Sequence, residues 1–211
     1  MLLWLEGCGY KNINIIDNNS DYKPLLDFYT KCTHKVIRMK KNYGHTVFYD
    51  SRRFLFKRLF NFYILSDPDL APIEGCPNDF SEQFLNIMAD YPEYYKVGFS
   101  LMIDDLPDNY KGTISWEAQF WKYPLESSKY PCAIYQAAID TTFALNSPSI
   151  YHTRQDLLKA IRTGKPYQLR HLPWYVTSLN NEEANYVNTA RPDISSWGRA
   201  IRKRLEEKGE I

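Results

Sequence analysis

No apolar run in this chain approaches the roughly 18 residues a membrane-spanning helix needs. The opening Met1-Leu-Leu-Trp-Leu5 is too short for a secretory signal and lacks its basic flank. Cysteine pairs are missing too. Cys8, Cys32, Cys76 and Cys132 lie far apart with no Cys-x-x-Cys, so neither a cysteine zinc site nor a disulfide framework is indicated. Reduced thiols in a cytoplasmic compartment are the expectation, with contact at the inner face of a membrane left open. There is no excess of one charge: 26 basic residues face 25 acidic ones, a formal +1, so the electrostatic footprint of nucleic-acid binding is absent. Internal repeats and low-complexity segments are absent as well.

Apolar and aromatic residues are plentiful, at 44% and 16% of 211 residues, enough to bury the core of one domain with a small tail. One stretch organises the chain: Phe60-Asn-Phe-Tyr-Ile-Leu-Ser-Asp67-Pro68-Asp69-Leu-Ala-Pro72. It reads as a buried strand running into two carboxylates, and the prolines stop any helix. Residues two apart on an extended chain point the same way, so Asp67 and Asp69 can converge where the strand ends. Paired hard oxygen ligands there suit Mg²⁺ or Mn²⁺. The competing interpretation is a plain Asp-Pro turn with a helix cap.

Around it, residues 1–8 read as the end of a helix stopped by Gly7 and Gly9, 12–16 as a strand, 22–31 as a helix and 35–39 as a second strand. Residues 46–59 read as a helix carrying the basic cluster Arg52, Arg53, Lys57 and Arg58 on an exposed face. That cluster is either a solvated face or a surface for anionic lipid. The strand to Asp67 comes third, then a capped helix from Asn78-Asp79 to Asp90 and a fourth strand over 96–103. This alternation predicts an α/β fold with a mostly parallel central sheet flanked by helices. The second half predicts a strand or hairpin at 116–121, strands at 138–145 and 171–176, and helices at 153–163 and 194–208; residues 106–131, rich in Pro, Tyr and charge, read as a mobile excursion.

Five pieces in order carry a resemblance: Ile15-Ile-Asp-Asn-Asn-Ser20, Asn42-Tyr-Gly-His45, Asp67-Pro-Asp69, Ile139-Asp-Thr-Thr-Phe-Ala-Leu145 and His171-Leu-Pro-Trp-Tyr175. Together, over roughly residues 5–190, the chain resembles bacterial-type nucleotide-sugar glycosyltransferases of the GT-A fold, close to family 2. The resemblance implies a single domain over 1–190, with a nucleotide half to about 105, an acceptor half to 190 and a helical tail over 191–211. It implies an inverting, Mn²⁺- or Mg²⁺-dependent transfer from a nucleoside diphosphate sugar, UDP being favoured, to a saccharide or lipid-linked acceptor in surface-polysaccharide synthesis. Asp67, Asp69 and His171 would hold the metal, with Asp69 the stronger ligand. Asp17, Asn18, Ser20, Asn42, Gly44, His45, Asp67 and Arg170 would meet the nucleotide sugar. Ser20 could also cap the next helix.

The base that takes the acceptor proton is Asp140 first and Asp105 second, with Asp104 a neighbour of the latter. Trp116, Glu117, Gln119 and Trp121 could line the acceptor site. The chain lacks the family's late Glu-Asp pair and starts after its usual first strand, so that element is expected upstream or supplied from elsewhere. Two other readings remain: a nucleotide-sugar-binding remnant without turnover, and another metal-dependent nucleotidyl or phosphoryl transferase. The second would be expected to carry a Gly-rich phosphate loop near its amino end, and none is visible.

Overall fold

The apolar spacing Phe80, Phe84, Ile87, Met88 puts four large side chains on one stripe of a helix, and that stripe is the floor of the core. The computed structural model describes residues 1–106, 110–148, 159–176 and 181–189. The described residues divide into two compact units: those within 1–8 and 53–175, and those within 9–52 and 176–211.

The smaller unit holds a two-stranded parallel sheet. β1 (Asn14–Asp17) pairs in register with β2 (Lys35–Arg38), joined through α2 (Lys23–Lys31). Pro24 occupies the first turn of α2, where its missing N–H costs nothing. Ser20 does not cap that helix; its N-cap is Tyr22, without a side-chain bond. α3 (Val47–Asp50) follows, and Ser51 then turns extended, so the helix expected over 46–59 breaks into α3, a 3₁₀ turn at Arg52–Phe54 and α4 (Leu55–Phe60), which belongs to the larger unit. A further helix, α7 (Asn181–Thr189), belongs to this unit.

The larger unit holds a seven-stranded sheet. Its strands are β3 (Tyr63–Leu65), β4 (Leu70–Pro72), β5 (Lys96–Leu101), β6 (Pro124–Leu125), β7 (Ile134–Gln136), β8 (Ala144–Asn146) and β9 (Ala160–His171). The spatial order is β3-β8-β5-β9-β7-β6, with β4 on the second half of β9. Only β5 and β9 run parallel; every other pair is antiparallel. The sheet is therefore mixed rather than mostly parallel. Alternation of strand and helix misled because β5 finds its neighbours β8 and β9 late in the chain, and β3 is the edge strand rather than a central one.

β5 is buried on both faces along its whole length, as expected of the strand at the centre. Gly98 lets β8 approach: a Cβ there would stand 2.3 Å from the Phe143 carbonyl oxygen. Beneath the sheet α5 (Phe80–Asp90) packs Phe80 and Phe84 against Phe99 and Phe143, with ring centroids 4.9–5.4 Å apart for three of these pairs. Trp4 of α1 (Leu2–Gly7) closes the cluster, 5.0 Å from Phe80. Each fully buried phenylalanine contributes about 1.5–3 kcal/mol relative to exposure.

Three further expectations change here, and a fourth is left untouched. The helix expected over 153–163 falls partly outside the described residues, and its remainder, from Ala160, opens β9, where Ile161 and Thr163 are buried between β5 and β7. Residues 116–121 form the end of α6 (Lys111–Ala118) and a 3₁₀ turn at Gln119–Trp121, not a hairpin. The strand expected at 171–176 is the end of β9 followed by a 3₁₀ turn over Leu172–Tyr175, because Pro173 cannot donate to a ladder. The helix expected over 194–208 lies outside the described residues.

Candidate functional site

β3, β5 and β9 all run toward the same edge of the sheet, since β3 and β5 each pair antiparallel with β8 and β5 runs parallel with β9. At that edge the turn from β3 to β4 carries Asp67 and Asp69, the loop entering β8 carries Asp140 and Thr141, and β9 ends on His171. This is the carboxyl edge, where open α/β sheets bind their ligands. Asp67 and Asp69 sit in a turn between two short strands, not at the end of one long buried strand. Backbone pairing holds the turn in place: Leu70 lies opposite His171, and the Leu172 N–H donates to the Asp69 carbonyl at 2.9 Å.

The side chains converge. His171 Nε2 stands 3.5 Å from Asp69 Oδ2, and its ring meets Trp174 edge-on at 4.9 Å. Thr141 Oγ1 donates to Asp67 Oδ2 at 2.9 Å. Asp69 Oδ1 is buried and accepts no hydrogen bond from the described residues. The Asp67 carboxyl is pushed up to about 6, first by burial, then by the Asp69 charge, with Asp140 adding and Thr141 opposing. An acceptor without a donor and a carboxylate crowded by two others are what a cation would relieve. Among the described residues, however, no group of three or more His, Cys, Asp or Glu is arranged to hold a metal ion. The donor set fits a Mg²⁺ or Mn²⁺ taken up through one or two carboxylates with phosphate and water completing the shell.

The Asp67 shift has a sign in stability. Its pKa lies above the ordinary carboxyl value near 3.9, so the contribution is complete below about pH 4 and is lost as pH rises through about 6. Asp67→Asn, which carries no charge, is expected to gain about 1–3 kcal/mol on the wild type between pH 4 and pH 7.5. Thermal unfolding of both proteins across that range measures it; parallel curves would remove the buried-carboxylate account.

Behind the edge, two buried cations hold the loop that presents Asp140. Lys96 Nζ donates to the carbonyls of Ile139 at 3.3 Å and Asp140 at 3.2 Å, and Arg162 Nε donates to that of Ala138 at 2.9 Å. Three successive carbonyls are thereby taken out of any strand ladder, which is why the strand expected over 138–145 shrinks to β8 and leaves Asp140 exposed in a loop. Lys96 is 1% exposed, and burial pushes its ammonium down to about 8, against the opposing pull of Asp140. Arg162 is ion-paired with Glu117 and lies 4.0 Å over the Phe120 ring. Burial outweighs the pairing on both partners, lowering the Arg162 pKa and raising that of Glu117.

Glu117 is thus a buried partner of Arg162 and not an acceptor-facing carboxylate. Trp116 is exposed and edge-on to Phe120, while Trp121 Nε1 is buried without a hydrogen-bond partner among the described residues. Asp105 lies beyond β5 with both oxygens engaged, by Arg170 Nε at 2.8 Å and by Tyr175 Oη at 2.6 Å, and these bonds hold its carboxyl below the usual range despite some burial. Arg170 is correspondingly committed to Asp105. Asp104 pairs with Lys165 at the surface.

In the smaller unit, Asp17 is buried and ion-paired with Arg38 at 2.9 Å, and it also accepts the Ser20 N–H at 3.2 Å. These bonds outweigh its burial and lower its pKa. The turn uses Asn19 at φ 69°, a conformation asparagine tolerates. Asn18 Nδ2 donates to Asn42 Oδ1 and to the Gly44 carbonyl, both at 2.8 Å, and Asn18 Oδ1 accepts the Tyr43 N–H. Gly44 at φ 77° makes that clasp possible. Asp17, Asn18, Asn42 and Gly44 are therefore brought together, with His45 exposed beside them.

Thr141, Lys96 and Arg162 are the residues that sequence reasoning missed. A lysine opening an apolar strand was the one signal available for Lys96. Among the described residues no helix is long and apolar enough to cross a membrane. No family model, no curated protein and no solved structure matches this chain.

Proposed function

We propose that the chain is a glycosyltransferase of GT-A type that transfers a sugar from a nucleoside diphosphate, UDP being favoured, to a saccharide or lipid-linked hydroxyl. The proposal concerns the diphosphate and sugar end of the donor, which the larger unit carries by itself. One observation supports it above the rest: Asp67, Asp69, Asp140 and His171 gather at the carboxyl edge of the sheet, with Asp69 Oδ1 lacking a partner among the described residues.

Asp67 and Asp69 would hold a divalent cation against the diphosphate, and when bound that ion would neutralise the charge of the leaving phosphate oxygens. Asp140, exposed on a loop fixed by Lys96 and Arg162, takes the proton of the acceptor hydroxyl. The acceptor oxygen forms the new bond to the anomeric carbon as the bond to the diphosphate breaks, and the electron pair leaves with the diphosphate. Attack from the opposite face inverts the anomeric centre.

Calorimetric titration of UDP with and without Mn²⁺ tests this, alongside Asp69→Ala. Manganese-dependent binding that Asp69→Ala abolishes is the expected result. Failure of UDP, GDP and CMP to bind with metal present would overturn the proposal. A nucleotide-sugar-binding protein without turnover is the second reading, favoured by the lack of a three-residue metal shell among the described residues. Binding without sugar transfer to any acceptor would select it.

A further inference from the structure

The segment between the helix break and β3 was expected to run into a buried strand, yet its rings face outward. Phe56 is 73% exposed, Phe60 71% and Phe62 55%, and Leu55 is exposed beside them. Phe56 and Phe60 are four residues apart on α4, on one face, and their rings stack with centroids 6.3 Å apart. Phe54, buried at 2%, pins the segment to the core. Exposed Arg53 and Lys57 flank the same stripe. Residues 51–66 contain Arg52, Arg53, Lys57 and Arg58 and not one Asp or Glu, in a chain otherwise balanced in charge.

We infer that α4 and the residues after it form a docking surface for an anionic lipid layer. Single exposed apolar side chains are ordinary, whereas contiguous aromatic rings rimmed by basic groups mark an interaction site. Aromatic rings settle at the headgroup level of a bilayer, and stable surface binding takes two signals, apolar insertion and attraction to anionic lipid. α4 supplies both. With six residues it is about 9 Å long and lies on a membrane instead of crossing it. Charge complementarity selects the occupant: a second copy meeting this face through a twofold axis would set basic groups against basic groups. The inference does not depend on the transfer reaction, and its test uses no donor.

The test is co-sedimentation of the full chain with vesicles of phosphatidylcholine alone and of phosphatidylcholine mixed with phosphatidylserine. The expected result is binding to the mixed vesicles that weakens with salt. Phe56→Ser with Phe60→Ser should abolish it, and Lys57→Glu should weaken it about fivefold or more, since one basic group near such a surface is worth about a factor of five. These positions are exposed, so unchanged circular dichroism and melting should accompany the loss. Three results would overturn the inference: equal binding to neutral vesicles, no binding to either, or a dimer in sedimentation velocity that the phenylalanine variants dissolve. A single-stranded oligonucleotide that binds the same residues while vesicles do not would also reject it.

Discussion

Arg162→Met is expected to destabilise the protein by about 3–5 kcal/mol, because it leaves the Glu117 carboxylate buried without its cation. Three things are lost together: the ion pair, the Nε bond to the Ala138 carbonyl and the stacking on Phe120. The uncompensated charge is the largest of them, since the other two are worth of order 1 kcal/mol each. The midpoint of urea unfolding, with an unchanged denaturant slope, gives the number. Adding Glu117→Leu to Arg162→Met should recover most of the stability, because a pair of apolar side chains replaces a pair of desolvated charges at little net cost. A single variant within about 1 kcal/mol of wild type would mean that water reaches Glu117.

Asp140→Asn is expected to lower sugar transfer by about 100- to 10,000-fold, the usual worth of a positioned general base, while leaving metal-dependent UDP binding intact. Asp105→Asn should change turnover far less. Its oxygens already serve Arg170 and Tyr175, so a proton on its way from an acceptor finds them occupied. Initial rates with a fixed donor and acceptor, paired with calorimetry on the same proteins, separate base from binding. If Asp105→Asn stops turnover and Asp140→Asn does not, the base lies on the β5 side of the edge and the arrangement proposed here is wrong.

The carboxylates of this site were legible from their motifs, but their environment was not. Asp67 and Asp69 are two residues apart and flanked by prolines, a local pattern that places a turn of acids after an apolar run. What raises the Asp67 pKa is burial together with the crowding of Asp69 and Asp140, against a bond from Thr141, 74 residues away, that pulls it back down. The exposed rings of Phe60 and Phe62 show the converse failure. Their aromatic run matches a buried strand in pattern, and only the pairing of β3 with β8, which begins at Tyr63, decides that they lie outside it. The helix expected to end at Thr163 is another case: Ile161 and Thr163 suit either element, and the buried slot between β5 and β7 settles it in favour of the strand.

By itself the sequence determined the class of the protein, α/β with one aromatic core. It also determined the elements whose signals are local: α2 with its early proline, α5 with its apolar stripe and β5 with its mostly apolar run. Hydrophobic periodicity and backbone chemistry act within a few residues, so they survive in a linear reading. Tertiary structure alone decided strand direction, the division of the chain into two units, and the roles of Lys96, Arg162 and Glu117. Those depend on partners 43 to 45 residues distant for Lys96 and for the Arg162–Glu117 pair. A buried charge becomes intelligible only once the group that desolvates it and the group that neutralises it have been brought together.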